Sequence, residues 1–474
     1  MIYRLHLMRW LILLLVASML SCARPAMGPT ADSTVYLPLV REGASTQTTP
    51  SPPTPEAISH QNTSVALTYQ QPDGNRFVDG NTPIIPLNEI EPTSIVLTSV
   101  PVWVVGLPYE TENESGVFWL SVLSDGTVQA FSVIGATDSR EVIELTEFTP
   151  AQVPPAMPPL VYLGVNRDGS SEPRLLVPNE PFAPATHPVL LNNSGDYAYL
   201  NESFELVVMQ GETKTVLAVD ALPDARLLVD ENERILLLSA PTDRYAHGVL
   251  GDRLEAGSVT LVETNPETVP VPAIANTIVI PEAHVIEGIS PIWTDITGDG
   301  VRDIIVTHSD ARQGAQIVVY AETGELLGAG PAIGRGNRWR HQLAVAPFSG
   351  DEPILVDVLT PHIGGVVEFY TWENDELTIV GSLSGYTSHM IGSRNLDMAA
   401  AADFDGDGQV ELLLPTQNRR TLGAIRFTGT EAELAWSMPV DGSMGSNIAV
   451  VPLMDGNMAV AVGRQNGSLR IWQP

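Results

Sequence analysis

Cysteine is almost missing from this chain: its 474 residues hold one, Cys22, so no disulfide can form within it. Lysine is as scarce, and Lys214 is the single one. With 56 acidic against 24 basic side chains the net charge is −32, and so acidic a surface repels nucleic-acid phosphates. Nucleic acid is excluded as a partner; cations, proteins and glycans are not. Also missing are amphipathic runs at helical spacing, which rules out a helical repeat protein. Past the N-terminus no apolar stretch is long enough to span a bilayer. No nucleophile elbow, phosphate-binding glycine loop or paired-cysteine metal site occurs.

What is present begins with an export signal. Arg4 and Arg9 precede an apolar run from Trp10 to Leu20, about half the length that crosses a bilayer. Ser18-Met19-Leu20-Ser21-Cys22 fits a loose lipobox, with Cys22 as the acylated thiol; cleavage after Ala23 is the rival reading. Residues 1–22 are thus expected to be a signal peptide, and 23–59 a disordered Ser/Thr/Pro-rich linker centred on ASTQTTPSPPTPEAI. The expected location is the cell envelope if the lipid is added, and the exterior if not. Membrane contact would then come only through that anchor.

Residues 60–474 read as one all-β domain. Glycine (39) and proline (38) are abundant and charge is sparse at 17%, which suits many short strands joined by turns. In the C-terminal half an apolar strand, an acidic or glycine-rich turn and a second apolar strand recur, at DITGDGVRDIIVTH, SGDEPILVDVLTPH, DFDGDGQVELLLPTQN and MDGNMAVAVGRQN. The period of about 50 residues is that of a four-stranded propeller blade. Seven blades are expected, at 101–146, 160–219, 225–280, 291–330, 342–386, 398–439 and 447–474. The irregular second one leaves six or eight open. SVALTYQ, residues 64–70, would complete the last blade and so close the ring.

Two of the turns carry metal chemistry. Asp403, Asp405, Asp407, the Gln409 carbonyl and Glu411 alternate along DFDGDGQVE. Asp295, Thr297, Asp299, the Val301 carbonyl and Asp303 repeat the spacing in DITGDGVRD. Calcium takes six to eight hard oxygen ligands, and alternate residues of a tight loop can aim several at one point. Strands flank both loops and no glutamate stands at position 12, so neither is an EF-hand. The bland alternative is a pair of Asp-Gly hairpin turns.

These DxTGDGxxD and DxDGDGxxE loops, each inside a strand-loop-strand repeat, resemble the FG-GAP/VCBS family of integrin-α-like propellers. The resemblance covers 291–474 well and the earlier blades by architecture only. It implies that Ca2+ braces a blade where its first two strands join, with Asp295, Asp299, Asp303, Asp403, Asp405, Asp407 and Glu411 at the ligand positions. It does not imply an activity.

If those loops share one face, the remaining connectors meet on the other, and they hold six of the nine histidines. His247, His284, His308, Arg338, Trp339, Arg340, His341, His362, His389, Arg394, Asn395 and Asp397 are the candidate binding residues there. Arg340 and Arg394 could fork onto carboxylates or sulfates, and Trp339 and Tyr245 could stack on sugars. The expected role is binding of an extracellular glycan or protein. The alternative is a lyase-type enzyme acting on acidic polysaccharide, with His341, His362, His389 and Tyr245 as acid/base candidates. No HxH or HExxH spacing speaks for a transition-metal site.

Overall fold

The computed structural model describes residues 64–474, apart from 81, 111–114, 136–139, 150, 167–169 and 246. The expected signal peptide and linker, and Cys22 with them, lie outside the described residues. Apart from two short 3-10 turns, the described elements are strands. Strands inside a blade are covered on both faces and read as unbroken apolar runs, as in Ser115–Leu123 and Asp303–Asp310. Outermost strands alternate or stay half-exposed, as in Ala432–Pro439.

Among the described residues the strands form eight small antiparallel units. In chain order their main strands span 101–144, 160–175, 189–217, 228–279, 292–329, 340–384, 400–439 and 444–472. Strand Val285–Ile286 joins the fourth unit to the fifth, and a single parallel bridge joins the fifth to the sixth. Shared apolar clusters pack neighbour on neighbour. Val104 and Trp119 of the first unit pack with Ala449 and Ile471 of the eighth, which closes the circle. The fold is a β-propeller.

The blade count differs from the expected seven. The stretch 160–219 is two blades, because strands Leu160–Val165 and Ser171–Leu175 recruit Val65–Leu67 as a third strand. Val189–Leu217 then makes four strands of its own. The segment 64–70 therefore does not complete the last blade. Thr93–Val96 does, pairing with Ser468–Trp472.

Between those two strands the chain crosses the central channel as a strap, bonding to one inner strand after another. Val229 N–H donates to the Pro72 carbonyl (2.8 Å) and Trp293 N–H to that of Asp73 (3.0 Å). The Asn75 side chain bonds both backbone groups of Val345, and Ala401 N–H donates to the Arg76 carbonyl. Gly74 sits at φ 78° with the Pro291 carbonyl only 2.5 Å from where a Cβ would stand, so only glycine passes there. At the centre, Arg76 Nη2 and Arg226 Nη2 donate to the two oxygens of Asp397, at 3.0 and 2.9 Å. All three side chains are at most 4% exposed.

Asp397→Asn keeps the shape but leaves two buried guanidiniums facing no charge, a loss expected to cost about 3–5 kcal/mol. Chemical denaturation at pH 7 tests this; an unmoved midpoint would mean that the ion triad does not hold the strap.

Candidate functional site

The acid-rich loops adopt one geometry. In the first, Asp295 accepts the Gly298 and Gly300 N–H groups, and Asp303 accepts those of Ile296 and Thr297. In the second, Asp403 accepts Gly406 and Gly408, and Glu411 accepts Phe404. Gly298, Gly300, Gly406 and Gly408 all lie at positive φ, which such tight loops require. Asp299 and Asp407 accept the N–H groups of Val301 and Gln409. Oxygens of Asp403, Asp405 and Glu411 lie within 4.8 Å of one another. This all-oxygen donor set suits a hard cation such as calcium. One feature was illegible beforehand: Arg426 reaches the acids of the second loop and supplies a cation from within. Burial pushes Glu411 up to about 7 even so.

On the opposite face three of the six histidines gather around Trp339. Its indole stacks on His341 at 4.6 Å and on His362 at 6.0 Å, and meets His389 edge-on at 5.2 Å. Its Nε1 donates to the Glu287 carbonyl (3.1 Å). The fully buried Glu287 carboxylate accepts from His247 Nδ1 and from the Ser309 hydroxyl. His284 and His308 form a separate pair, 5.5 Å apart, beside Asp310 and Tyr320.

Acceptor-only partners settle which nitrogens carry protons. His389 Nε2–H donates to the Ser393 carbonyl (2.7 Å), so its Nδ1 accepts from His362 Nε2–H (2.7 Å). That leaves His362 Nδ1 as a lone pair. Burial, reinforced by His247, lowers His362 to about 4; burial lowers His389 to about 3. His341 is pushed down by burial and then by Arg76, and its Nδ1 bonds Ser388 Oγ (2.8 Å). These three rings are neutral at physiological pH. His341 Nε2 and Arg76 Nε are both buried without partners beside a cavity of about 10 Å³, roughly the room one water needs.

Several expected contact residues are not at the surface. Arg340 is buried against Asp357, Glu368 and Tyr370 of its own blade, so it cannot fork onto a ligand. Its strand alternates faces, and that places it inside the sheet packing. Trp339 and Tyr245 are 2% and 6% exposed, which leaves no ring face for a sugar. Burial also raises the Tyr245 phenol, against a role as base. His389 is buried with both nitrogens engaged, and His341 and His308 are buried too, so none of the three can meet a ligand or act on one. Asn395 braces the Val102 carbonyl, and Asp397 belongs to the channel triad. Arg394 is half-exposed but paired with Asp224 and Asp252. Arg338 is exposed and bonds carbonyls of its own loop. His247, His284 and His362 remain half-exposed.

Sequence reasoning missed the groups behind the rim: Glu255, Asp224, Asp252 and the Glu287–His247 pairing. No spacing signal marks them, because they lie in or beside the irregular connectors of the fourth blade and at the strand joining it to the fifth, and meet only when those connectors pack. On the loop face two clefts of 290 Å³ flank the strap. One lies between it and the inner strands at Gly106–Pro108 and Ala449–Pro452, the other beside Asp73, Leu190–Asn193 and Arg302.

No family model and no curated protein matches the chain. Among solved structures, a europium-containing methanol dehydrogenase matches over 84% of this chain and 89% of its own, at 9% identity and a TM-score of 0.48. The WD40 domain of coronin from Toxoplasma gondii matches over 83% and 88%, at 9% identity and 0.37. Neither likeness carries an argument about chemistry.

Glu255 gives a pH test of the rim. Burial first, then Glu287, Asp252 and Asp224, raise its carboxyl from 4.5 to about 9, while the Gly288 N–H opposes this. The folded state therefore keeps a proton that the unfolded chain releases near pH 4.5. Its contribution is fully present below that pH and declines up to about 9, with a slope of at most about 1.4 kcal/mol per pH unit. Denaturation midpoints at pH 5.5 and 8.5 should converge in Glu255→Gln relative to the wild type. An equal pH dependence in both proteins would rule out the raised carboxyl.

Proposed function

We propose that the protein is an exported binding module of the FG-GAP/VCBS kind, braced by calcium at an acid-rich loop and tethered to the cell envelope through Cys22. On this reading its histidine face docks a protein. One observation carries the ligand class: Ile363 and Ile391, 83% and 69% exposed, follow His362 and His389 in the rim loops, where the arginine forks and aromatic faces are already engaged internally. Apolar tips beside the half-buried His362 and the buried His389 suit a protein surface better than an acidic sugar. The charge of −32 favours a ligand with a neutral or basic contact surface. A glycan is the alternative ligand.

A second reading, an enzyme acting on acidic polysaccharide, is favoured by the Glu287–His247 pair. A buried carboxylate orienting a half-exposed imidazole is the arrangement of a general base. In this reading His247 abstracts the proton, not His341 or His389.

The full-length protein is tested for retention of acidic polysaccharides, neutral glycans and envelope proteins. Envelope-protein retention should fall about tenfold or more in the double variant Ile363→Asp, Ile391→Asp. Retention of acidic polysaccharide that ignores this variant would overturn the protein ligand. Unsaturated uronate products that vanish in His247→Ala would establish the second reading. Chelation should lower the melting temperature, and an unchanged melt removes calcium from the proposal.

A further inference from the structure

The two acid-rich loops share their turns and differ in what faces them across the sheet. Each ends on an acid that opens its blade's second strand, and strand pairing sets that acid opposite one residue of the third. Asp303 stands opposite Ala321, and Glu411 stands opposite Arg426. Alanine brings no charge to the first loop. Arg302 is close in sequence, but its guanidinium goes to Asp73 and Glu231. Among the described residues no ion pair reaches Asp295, Asp299 or Asp303.

The second loop is organised around its arginine. One nitrogen, Arg426 Nη2, lies 2.6 Å from Glu411 Oε1, 2.8 Å from Asp407 Oδ2 and 3.1 Å from Asp405 Oδ2. Trp436 Nε1 adds a second donor to Asp405 Oδ2 at 3.1 Å. The fourth acid, Asp403, has both oxygens held by backbone N–H groups. Three carboxylates thus converge on a single cationic nitrogen, the relation they would have to a metal ion. The guanidinium is only 16% exposed, and its charge is permanent over the physiological range. A divalent cation entering that point would have to expel it against charge repulsion.

We propose that Arg426 is the resident cation of the loop 403–411, and that this loop takes no calcium while Arg426 is in place. This rests on reading both loops as members of the calcium-loop family. It reverses the order expected from acid content, since the loop with more carboxylates is the one braced without metal. The seventh blade then keeps its brace when external calcium falls, and any calcium response belongs to the loop 295–303.

Terbium luminescence and calcium dialysis on the full chain test this. At most one calcium ion is expected per chain, and Asp405→Asn should leave the count unchanged. Arg426→Gln should add one ion, melt below the wild type in chelator and recover with calcium. Loss of an ion on Asp405→Asn overturns the proposal, as does an Arg426→Gln protein that gains none. A wild type that binds no calcium would sink the calcium brace of the proposed function, yet the gain in Arg426→Gln would still be required. If that variant does not fold, the wild-type count and Asp405→Asn decide alone.

Discussion

One carboxylate at the centre of the ring, Asp397, holds two guanidiniums that arrive from different parts of the chain. Arg76 belongs to the strap and Arg226 leads into the fourth blade, so the triad ties the N-terminal crossing to blades four and seven together. Buried charge is tolerated only when paired, and here the pairing is available only if the ring is closed and the strap is in place. The strap also answers the open inner edges of several blades with hydrogen bonds that would otherwise go to channel water. Among the described residues the strap itself thus runs through the channel, with the two clefts of the loop face on either side of it.

The same economy of charge shapes both faces. In a chain with few cations and many acids, several arginines meet more than one carboxylate and are held by the protein's own acids. Arg340 lies between Asp357 and Glu368, Arg394 between Asp224 and Asp252, and Arg426 among three loop acids. What the histidine face offers outward is therefore imidazole, isoleucine and the guanidinium of Arg338, while Arg340 is withdrawn and Arg394 is paired. Burial first, and then neighbouring acids, raise the carboxyls of Glu255 and Asp224.

The alternating strands, the acid-rich turns and their regular interval were all legible in the amino-acid order, because each depends on neighbours within about ten residues. From them followed the propeller, the placing of the two loops on one face and the convergence of connectors on the other. The eighth blade was not legible. Its existence turns on Val65–Leu67 pairing with Leu160–Val165, and nothing local chooses that partner over the last blade. Thr93–Val96 fills the vacancy so left, with a run no more strand-like than SVALTYQ.

Side-chain direction was the other thing hidden. Trp339, Arg340 and His341 are consecutive and looked alike as rim residues, yet the chain enters a strand there, so Trp339 and His341 pack on each other on one side while Arg340 turns to Asp357 and Glu368 on the other. Local sequence by itself determined that this protein is a ring of small sheets with acid-rich turns, since backbone period and turn chemistry are short-range. Only the tertiary structure decided how many blades close the ring, which charges neutralise one another and which histidines stay accessible. Those outcomes depend on groups hundreds of residues apart being buried together, where each must find a partner.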